Sequence, residues 1–381
     1  MNESNKEPII IFTTGLCNGG AERVLFNLIK NDDLRSNYNV CVVSLSSKEY
    51  YSEIFEKLDN LSVTYLDLKN IWGVIRFFKL YISLRMLTKQ QPSSFIVGWM
   101  YHGSLIATIF AVLLGIKNLF WSFRASLDGF NQYTNSTKLT IIFLRLLSKK
   151  PKCIWHNSTV GLQDHKAFGF KSTSEIFYNG FDQNRFQNNR LDTFTNNSFN
   201  NSKKFLFVGR VHPQKDLHGL IDCFLKLWDL GYKSTLTIIT PATRTNLEAS
   251  ISFPALYAKY KRNIFMVGEV KDIENYYSNF DFLCLKSISR EGFPNVVGEA
   301  MLSGCPVVTT DVGDCRFIVD DTGFVCETLD LDDYLKILIK MHYINPEKYK
   351  KLSCVATQRI KTEYSLEKFN YRFLELIKEY S

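Results

Sequence analysis

Residues 8–30 read PIIIFTTGLCNGGAERVLFNLIK: an apolar run from Pro8 to Phe12, a turn ending at Gly19-Gly20, then AERVLFNLIK with its apolar residues at helical spacing. That is strand, glycine turn, helix, the opening unit of an α/β domain. The same alternation continues outward from it. Val40–Ser44, Ser62–Leu66, Phe95–Trp99, Leu119–Ser122 and Cys153–His156 are short apolar runs that read as strands, with a helix over 104–114 among them. After an Asn- and Ser-rich stretch, QNNRLDTFTNNSFNNS (187–202), the pattern restarts. Strands are expected at Lys204–Val208, Ser234–Thr240, Ile264–Val267, Phe282–Leu285 and Pro306–Thr309, helices at Leu217–Leu230 and Asn295–Leu302. A last helix, about 365–380, carries Leu366, Phe369, Phe373, Leu376 and Ile377 on one face. Short apolar strands alternating with helices predict an α/β chain with two doubly wound parallel sheets. The expected division is 1–186, a linker at 187–202, 203–364, and a terminal helix at 365–381.

Length and composition agree with two domains. The chain has 381 residues, 45% hydrophobic and 22% charged, enough for two cores and too ordinary for a disordered or fibrous protein. Nine cysteines, scattered and never spaced C-x-x-C, argue against a disulfide framework or a zinc site and suit a reducing cytosol. The start, MNESNKEPIIIF, shows no secretory signal, and the longest apolar stretch, Ser104–Ile116, is 13 residues, short of a membrane span. The net charge of +8 is uneven. Residues 1–200 carry +7 of it, and residues 69–152 hold twelve basic residues against one acid, Asp128. That field points to an anionic partner: nucleic acid, a phosphorylated substrate or a membrane surface. No recognised nucleic-acid-binding motif accompanies it.

Three segments carry chemistry. Glu291-Gly-Phe-Pro-Asn-Val-Val-Gly-Glu299 places two carboxylates seven residues apart, at a strand's end and inside the following helix. Pro294 suits that helix's first turn. The N–H groups of Phe293, Pro294's successor Asn295, and Val296 would form an anion site with the helix dipole, at the sheet edge where open α/β sheets bind ligands. On spacing alone, a dipole-complementing Glu beside an unrelated loop Glu explains the segment as well. Phe207-Val-Gly-Arg-Val-His-Pro-Gln-Lys215 puts Arg210 and Lys215 in a strand-to-helix loop, where two cations suit a diphosphate; a solvated basic loop is the alternative. Gly15-Leu-Cys-Asn-Gly-Gly20 is a poor dinucleotide fingerprint and a reasonable close-approach turn.

Together these segments resemble the family 4 glycosyltransferases of the GT-B fold. The likeness runs from GGAERV (19–24) through NGFDQNRF (179–186), VGRVHPQK (208–215) and EGFPNVVGEAM (291–301) to DVGDCRFIVDDTGF (311–324). It implies two Rossmann-like domains facing across a cleft, with the C-terminal helix able to cross back to the first. It also implies a retaining, metal-independent transfer of a sugar, UDP-hexose or UDP-N-acetylhexosamine being the family-level expectation, to a glycan acceptor, lipid-linked in surface polysaccharide synthesis. The roles carried over are these: Glu291 contacts the donor sugar, Glu299 the nucleotide ribose, Arg210 and Lys215 the diphosphate, and Gly19 with Gly20 the phosphate and sugar. Phe293, Pro294, Asn295 and Val296 line the donor. His102, in GWMYHGS, matches a His beside sugar or acceptor, although a lone His is also an ordinary structural residue. Arg124 and Arg23 are acceptor-side candidates.

No cofactor beyond the donor is implied. Asp330-Leu-Asp332 spells the D-x-D of metal-dependent transferases, but it opens an apolar-periodic stretch where acids are ordinary helix-start residues. Two departures from the family stand out: Thr240-Pro-Ala-Thr-Arg244 replaces a Gly-rich turn, and Gly298 replaces a commoner aliphatic residue. The rival class is a non-catalytic sugar-nucleotide or membrane-surface binding protein of the same fold. The expected location is cytoplasmic, peripheral at the inner face of the cell membrane. On a helical wheel Lys138, Arg145 and Lys149 share one face opposite Phe143, Leu144 and Leu147, a basic amphipathic helix that suits an anionic surface.

Overall fold

In the computed structural model the described residues are 6–68, 72–90, 93–187, 199, 202–241, 254–289 and 291–380. The chain forms two compact units, Met1–Gly180 with Leu366–Ser381, and Phe181–Ser365. Residues 181–186, expected in the first domain, therefore belong to the second, and the terminal helix belongs to the first. Most of the expected linker (188–198, 200 and 201) lies outside the described residues.

The first unit is built on seven parallel strands: β1 (Pro8–Thr13), β2 (Asn39–Ser44), β3 (Leu61–Tyr65), β4 (Phe95–Trp99), β5 (Asn118–Phe123), β6 (Cys153–His156) and β7 (Thr173–Ile176). Their order across the sheet is β3-β2-β1-β4-β5-β6-β7. The second unit has six: β8 (Lys203–Val208), β9 (Ser234–Ile239), β10 (Ile264–Val267), β11 (Phe282–Leu285), β12 (Val307–Thr310) and β13 (Phe324–Cys326), in the order β10-β9-β8-β11-β12-β13. Both sheets thus start in the middle, step one way and reverse. This is the doubly wound arrangement, whose switch points lie between β1 and β4 and between β8 and β11. Two strands escaped the sequence reading. β7, Thr-Ser-Glu-Ile, is a half-polar edge strand, and β13 has only three residues.

Central strands are buried on both faces and so read as unbroken apolar runs. Ile9, Ile10, Ile11 and Phe12 are all fully buried. The helix Leu366–Glu379 turns Phe369, Phe373, Leu376 and Ile377 into the core that also holds Val24, Leu28 and Trp155. On the sheet's other side, the helices Trp72–Gln90, Met100–Leu114 and Asn135–Leu147 share one core through Leu80, Leu84, Phe110, Ile141 and Leu144. This corrects the wheel drawn for the last of them. Leu144 is buried but Phe143 faces solvent, because the core-facing side is Thr140, Ile141 and Leu144. Among the described residues no helix is long and apolar enough to cross a membrane.

Candidate functional site

In the second unit, two loops meet at the switch point. The chain leaves β8 through Gly209 and Arg210 and turns through a short 3-10 helix, Pro213–Lys215, with His212 Nδ1 accepting from the Gln214 N–H at 3.2 Å. Asp216 then takes a left-handed conformation (φ 42°), and its carboxylate caps the helix Leu217–Asp229 by accepting from the Gly219 N–H. The chain leaves β11 through Lys286 and Ser287. A backbone bond from the Ile288 N–H to the Gln214 carbonyl, 2.8 Å, ties the two loops together. Lys286 is 4% exposed and pairs with Asp216, which fixes the base of the turn from below.

This wiring delivers Lys215 to Glu291. Lys215 Nζ donates to Glu291 Oε1 at 2.6 Å, and Ser287 Oγ donates to the same oxygen at 2.6 Å. The Glu291 side chain is 6% exposed and that of Lys215 is 18% exposed. The Lys215 stem runs beside Gly209, its Cε 3.9 Å from where a Cβ there would stand. An ammonium has three donors, and the Glu291 bond uses one of them. Arg210 is exposed on the same loop. The loop after β12 closes the far side of Glu291. Asp314 donates its N–H to the Gly292 carbonyl at 2.9 Å, and Gly313 sits at φ 60° with its Cα so close that a Cβ would lie 2.3 Å from the Glu291 carbonyl. Only glycine fits there.

The helix Asn295–Leu302 begins immediately afterwards. Pro294 is its N-cap, φ −69° and ψ 116°, rather than its first helical residue, and accepts from the Val297 N–H. The ring restricts φ just where the chain must enter the helix. Phe293 is 3% exposed and packs on Tyr364 and Phe181, holding the turn down, while Asn295 and Val296 are half-buried at the helix's positive end. Glu299 is 2% exposed and accepts from the Tyr277 hydroxyl at 2.9 Å. The two carboxylates of the E-x₇-E segment thus have separate partners, and nothing in the segment foretold Tyr277 or Ser287. Gly298 also has a packing reason: a Cβ there would stand 2.2 Å from the Phe181 ring.

In the first unit, Gly19 is the N-cap of the helix Gly20–Ile29, and a Cβ on it would meet the Glu22 carboxylate at 2.1 Å. Glu49 reaches the same loop, Oε2 accepting from the Leu16 N–H at 2.5 Å. Burial together with Glu22 and Glu49 pushes the Cys17 thiol up to about 11. Arg23 is half-buried on the helix's second turn. After β4, His102 lies in the first turn of the helix Met100–Leu114, with Nε2 3.4 Å from Ser136 Oγ. Burial lowers its pKa below 6.5, so it is neutral at pH 7. Arg124 points inward. It is 8% exposed, lies over Trp99 and Phe177 with its carbon 4.5 and 4.6 Å from the ring centroids, and donates to the Phe177 carbonyl and Asn179 Oδ1. Burial brings its pKa down to about 9, and Nη2 has no partner. Its contacts brace the strand-end segment 177–179.

Asp330 caps the helix Leu331–His342 by accepting from the Asp332 and Asp333 N–H groups, and Asp332 pairs with Lys226. No cluster suited to a metal ion occurs among the described residues. Residues 242–244 of the unusual turn lie outside them.

Residues 202–342 match the family model described as Glycosyl transferases group 1. The chain is 30% identical over 165 residues to the capsular polysaccharide biosynthesis glycosyltransferase CapM of Staphylococcus aureus, a stretch covering 42% of each protein. It is 24% identical over 328 residues to the amylovoran biosynthesis glycosyltransferase AmsD of Erwinia amylovora, covering 84% of this chain and 85% of AmsD. Among solved structures it superposes on Anabaena HepE in complex with UDP and glucose with a TM-score of 0.77 at 17% identity, covering 98% of this chain and 100% of HepE. The matched segment starts at β8 and contains Arg210, Lys215, Tyr277, Ser287, Glu291 and Glu299.

Proposed function

We propose that this chain, which has the GT-B fold and carries the group 1 glycosyl transferase sequence over residues 202–342, moves a sugar from a nucleoside diphosphate sugar to a glycan in polysaccharide biosynthesis. The observation that carries the reading is the Lys215–Glu291 pair at the β8/β11 switch point, on the loop that also bears Arg210 and beside the N-terminus of the helix Asn295–Leu302. A leaving diphosphate gathers negative charge as the sugar–phosphate bond breaks. Lys215, Arg210 and the N–H groups at the start of that helix are positive groups gathered at one edge of one sheet, the arrangement that stabilises such charge. Glu291, held through Lys215 and Ser287, is placed to accept from sugar hydroxyls while its pairing with Lys215 keeps the local charge balanced. Glu299, anchored by Tyr277, is the proposed ribose acceptor.

The donor we propose is UDP-hexose or UDP-N-acetylhexosamine, since HepE is described with UDP and glucose. Transfer proceeds with retention: the departing phosphate oxygen takes the acceptor's proton, so that no carboxylate general base is needed. The proposed transfer is metal-independent, a reading supported by the D-x-D aspartates serving as a helix cap and in an ion pair with Lys226. The acceptor is lipid-linked, which places the reaction at the inner face of a membrane.

The test is to incubate the purified protein with a panel of nucleotide sugars and lipid-linked glycans and to follow nucleotide release and product. Release coupled to sugar transfer, undiminished by EDTA, is expected. Tight nucleotide binding without turnover would make the chain a sugar-nucleotide binding protein of the same fold. Loss of activity to EDTA, restored by Mn²⁺, would overturn the metal-independent mechanism.

A further inference from the structure

The outer surface of three helices in the first unit is apolar where solvent-facing helices are ordinarily charged. On the helix Trp72–Gln90, Ile75, Phe78, Ile82 and Met86 recur at spacings of three and four and are 46, 61, 57 and 60% exposed. On the helix Asn135–Leu147, Leu139, Ile142, Phe143 and Leu146 do the same, Leu146 reaching 67%. Between them lies the helix Met100–Leu114, which contacts both and adds Val112 and Leu113 at 62 and 50%. The Phe77 and Phe110 rings, 4.6 Å apart, join the first helix to the middle one. Of the 23 large hydrophobic residues exposed among the described residues, 13 fall on these three helices. They form one surface, because the inward residues of all three share one core. Isolated exposed apolar residues need no explanation, but a contiguous face of this size marks an interaction site.

The charges bordering it select the partner. None of the three helices contains an acidic residue. Arg76, Lys79, Arg85 and Lys89 are exposed on the first helix, Arg145 is exposed and Lys138 half-buried on the second, and Lys149 and Lys150 follow it. A second copy of the same face would set cation against cation, which disfavours self-pairing. An apolar face rimmed by lysines and arginines fits a bilayer interface, with the rings and aliphatic chains among the acyl chains and the cationic groups at headgroup level.

We infer that this three-helix face inserts into the bilayer interface as an apolar surface, the lysines adding a preference for anionic headgroups. The basic face of one helix is then not the attachment device that the sequence suggested. The buried sides of these helices are core, and what they show to solvent is mostly hydrocarbon. The inference depends on the proposed function only in giving membrane attachment a purpose, a lipid-linked acceptor. It stands or falls without any sugar transfer being measured.

Flotation of the full chain with vesicles of phosphatidylcholine alone, and with added phosphatidylglycerol, at low and high salt, tests it. Binding to both is expected, tighter on the anionic vesicles, with the neutral-vesicle component surviving high salt. The double substitutions Phe78→Ser with Ile82→Ser, and Phe143→Ser with Leu146→Ser, change only exposed side chains. Each should weaken binding to neutral vesicles on the order of tenfold or more while leaving nucleotide binding intact. Binding to anionic vesicles alone, abolished by salt, would overturn insertion in favour of electrostatic contact. So would a lipid-free dimer that the same substitutions dissociate, which would make the face a protein interface.

Discussion

Glu291 and Glu299 belong to one short segment but sit in different surroundings, and the difference was only partly legible. Their spacing, with Arg210 and Lys215 upstream and the family resemblance, made the segment a candidate site. Ser287, four residues before Glu291, and Tyr277, on the preceding helical turn of chain, fix the two carboxylates, and a Ser or Tyr in such a place leaves no pattern to read. The histidines were likewise unreadable singly. His165 is fully buried, its Nε2 against the Tyr101 hydroxyl, and burial takes its pKa down to about 4; His156 falls well below 6.5 for the same reason. Since these folded-state values are depressed, the folded protein resists protons that the unfolded chain accepts below about pH 6.5. The stability they contribute is complete above that pH and is lost as pH falls towards about 4. His165 alone accounts for roughly 3 kcal/mol over that window. Urea unfolding followed by Trp fluorescence should therefore give a clearly lower midpoint at pH 5 than at pH 7.5. A midpoint unchanged between the two would contradict the buried, neutral placement. His102, also depressed, should show an NMR titration midpoint below 6.5.

The helix Asn295–Leu302 shows how a local preference yields to packing. Gly298 lowers helix propensity, and its replacement of a bulkier residue looked like a small defect. Instead the Phe181 ring fills the space over it. That ring also packs on Phe293 and belongs to a segment pinned by the bond from its own N–H to the Tyr364 carbonyl. Gly298→Ala would stabilise an exposed helix by about 1 kcal/mol. Here it should destabilise by about 1–3 kcal/mol, the usual cost of overpacking, and Phe181→Leu should recover part of the loss. Thermal melts of the single and double variants would measure both effects; a stabilised single variant would mean the ring moves aside freely. Strands of five or six apolar residues were plain in the sequence, whereas β7 and β13 were not. An edge strand needs apolar residues on fewer sides, and three residues are too few for any periodicity.

Both doubly wound sheets followed from the alternation of apolar runs with helical stretches, and so did the placing of Arg210, Lys215 and Glu291 in loops between a strand and a helix. The point at which the chain passes from the first unit to the second did not follow, and the return of the terminal helix to the first was implied by the family resemblance and not by the helix's own residues. It depends on which core accepts Phe369, Phe373 and Leu376, and a helix's apolar stripe does not name its partner. The surplus of positive charge in residues 69–152 was legible, but the apolar surface it borders was not, because a wheel shows which residues share a face and not which face meets the core. In the proposed transfer, Lys215 and Arg210 stabilise the charge on the leaving diphosphate. The measurement is turnover of the sugar nucleotide under saturating donor, alongside nucleotide affinity, in Lys215→Ala, Arg210→Ala and the double variant. Each single substitution should slow transfer by on the order of 10²-fold while weakening nucleotide binding much less, because the charge they meet grows in the transition state. A double variant that turns over as fast as the unaltered protein would contradict the claim.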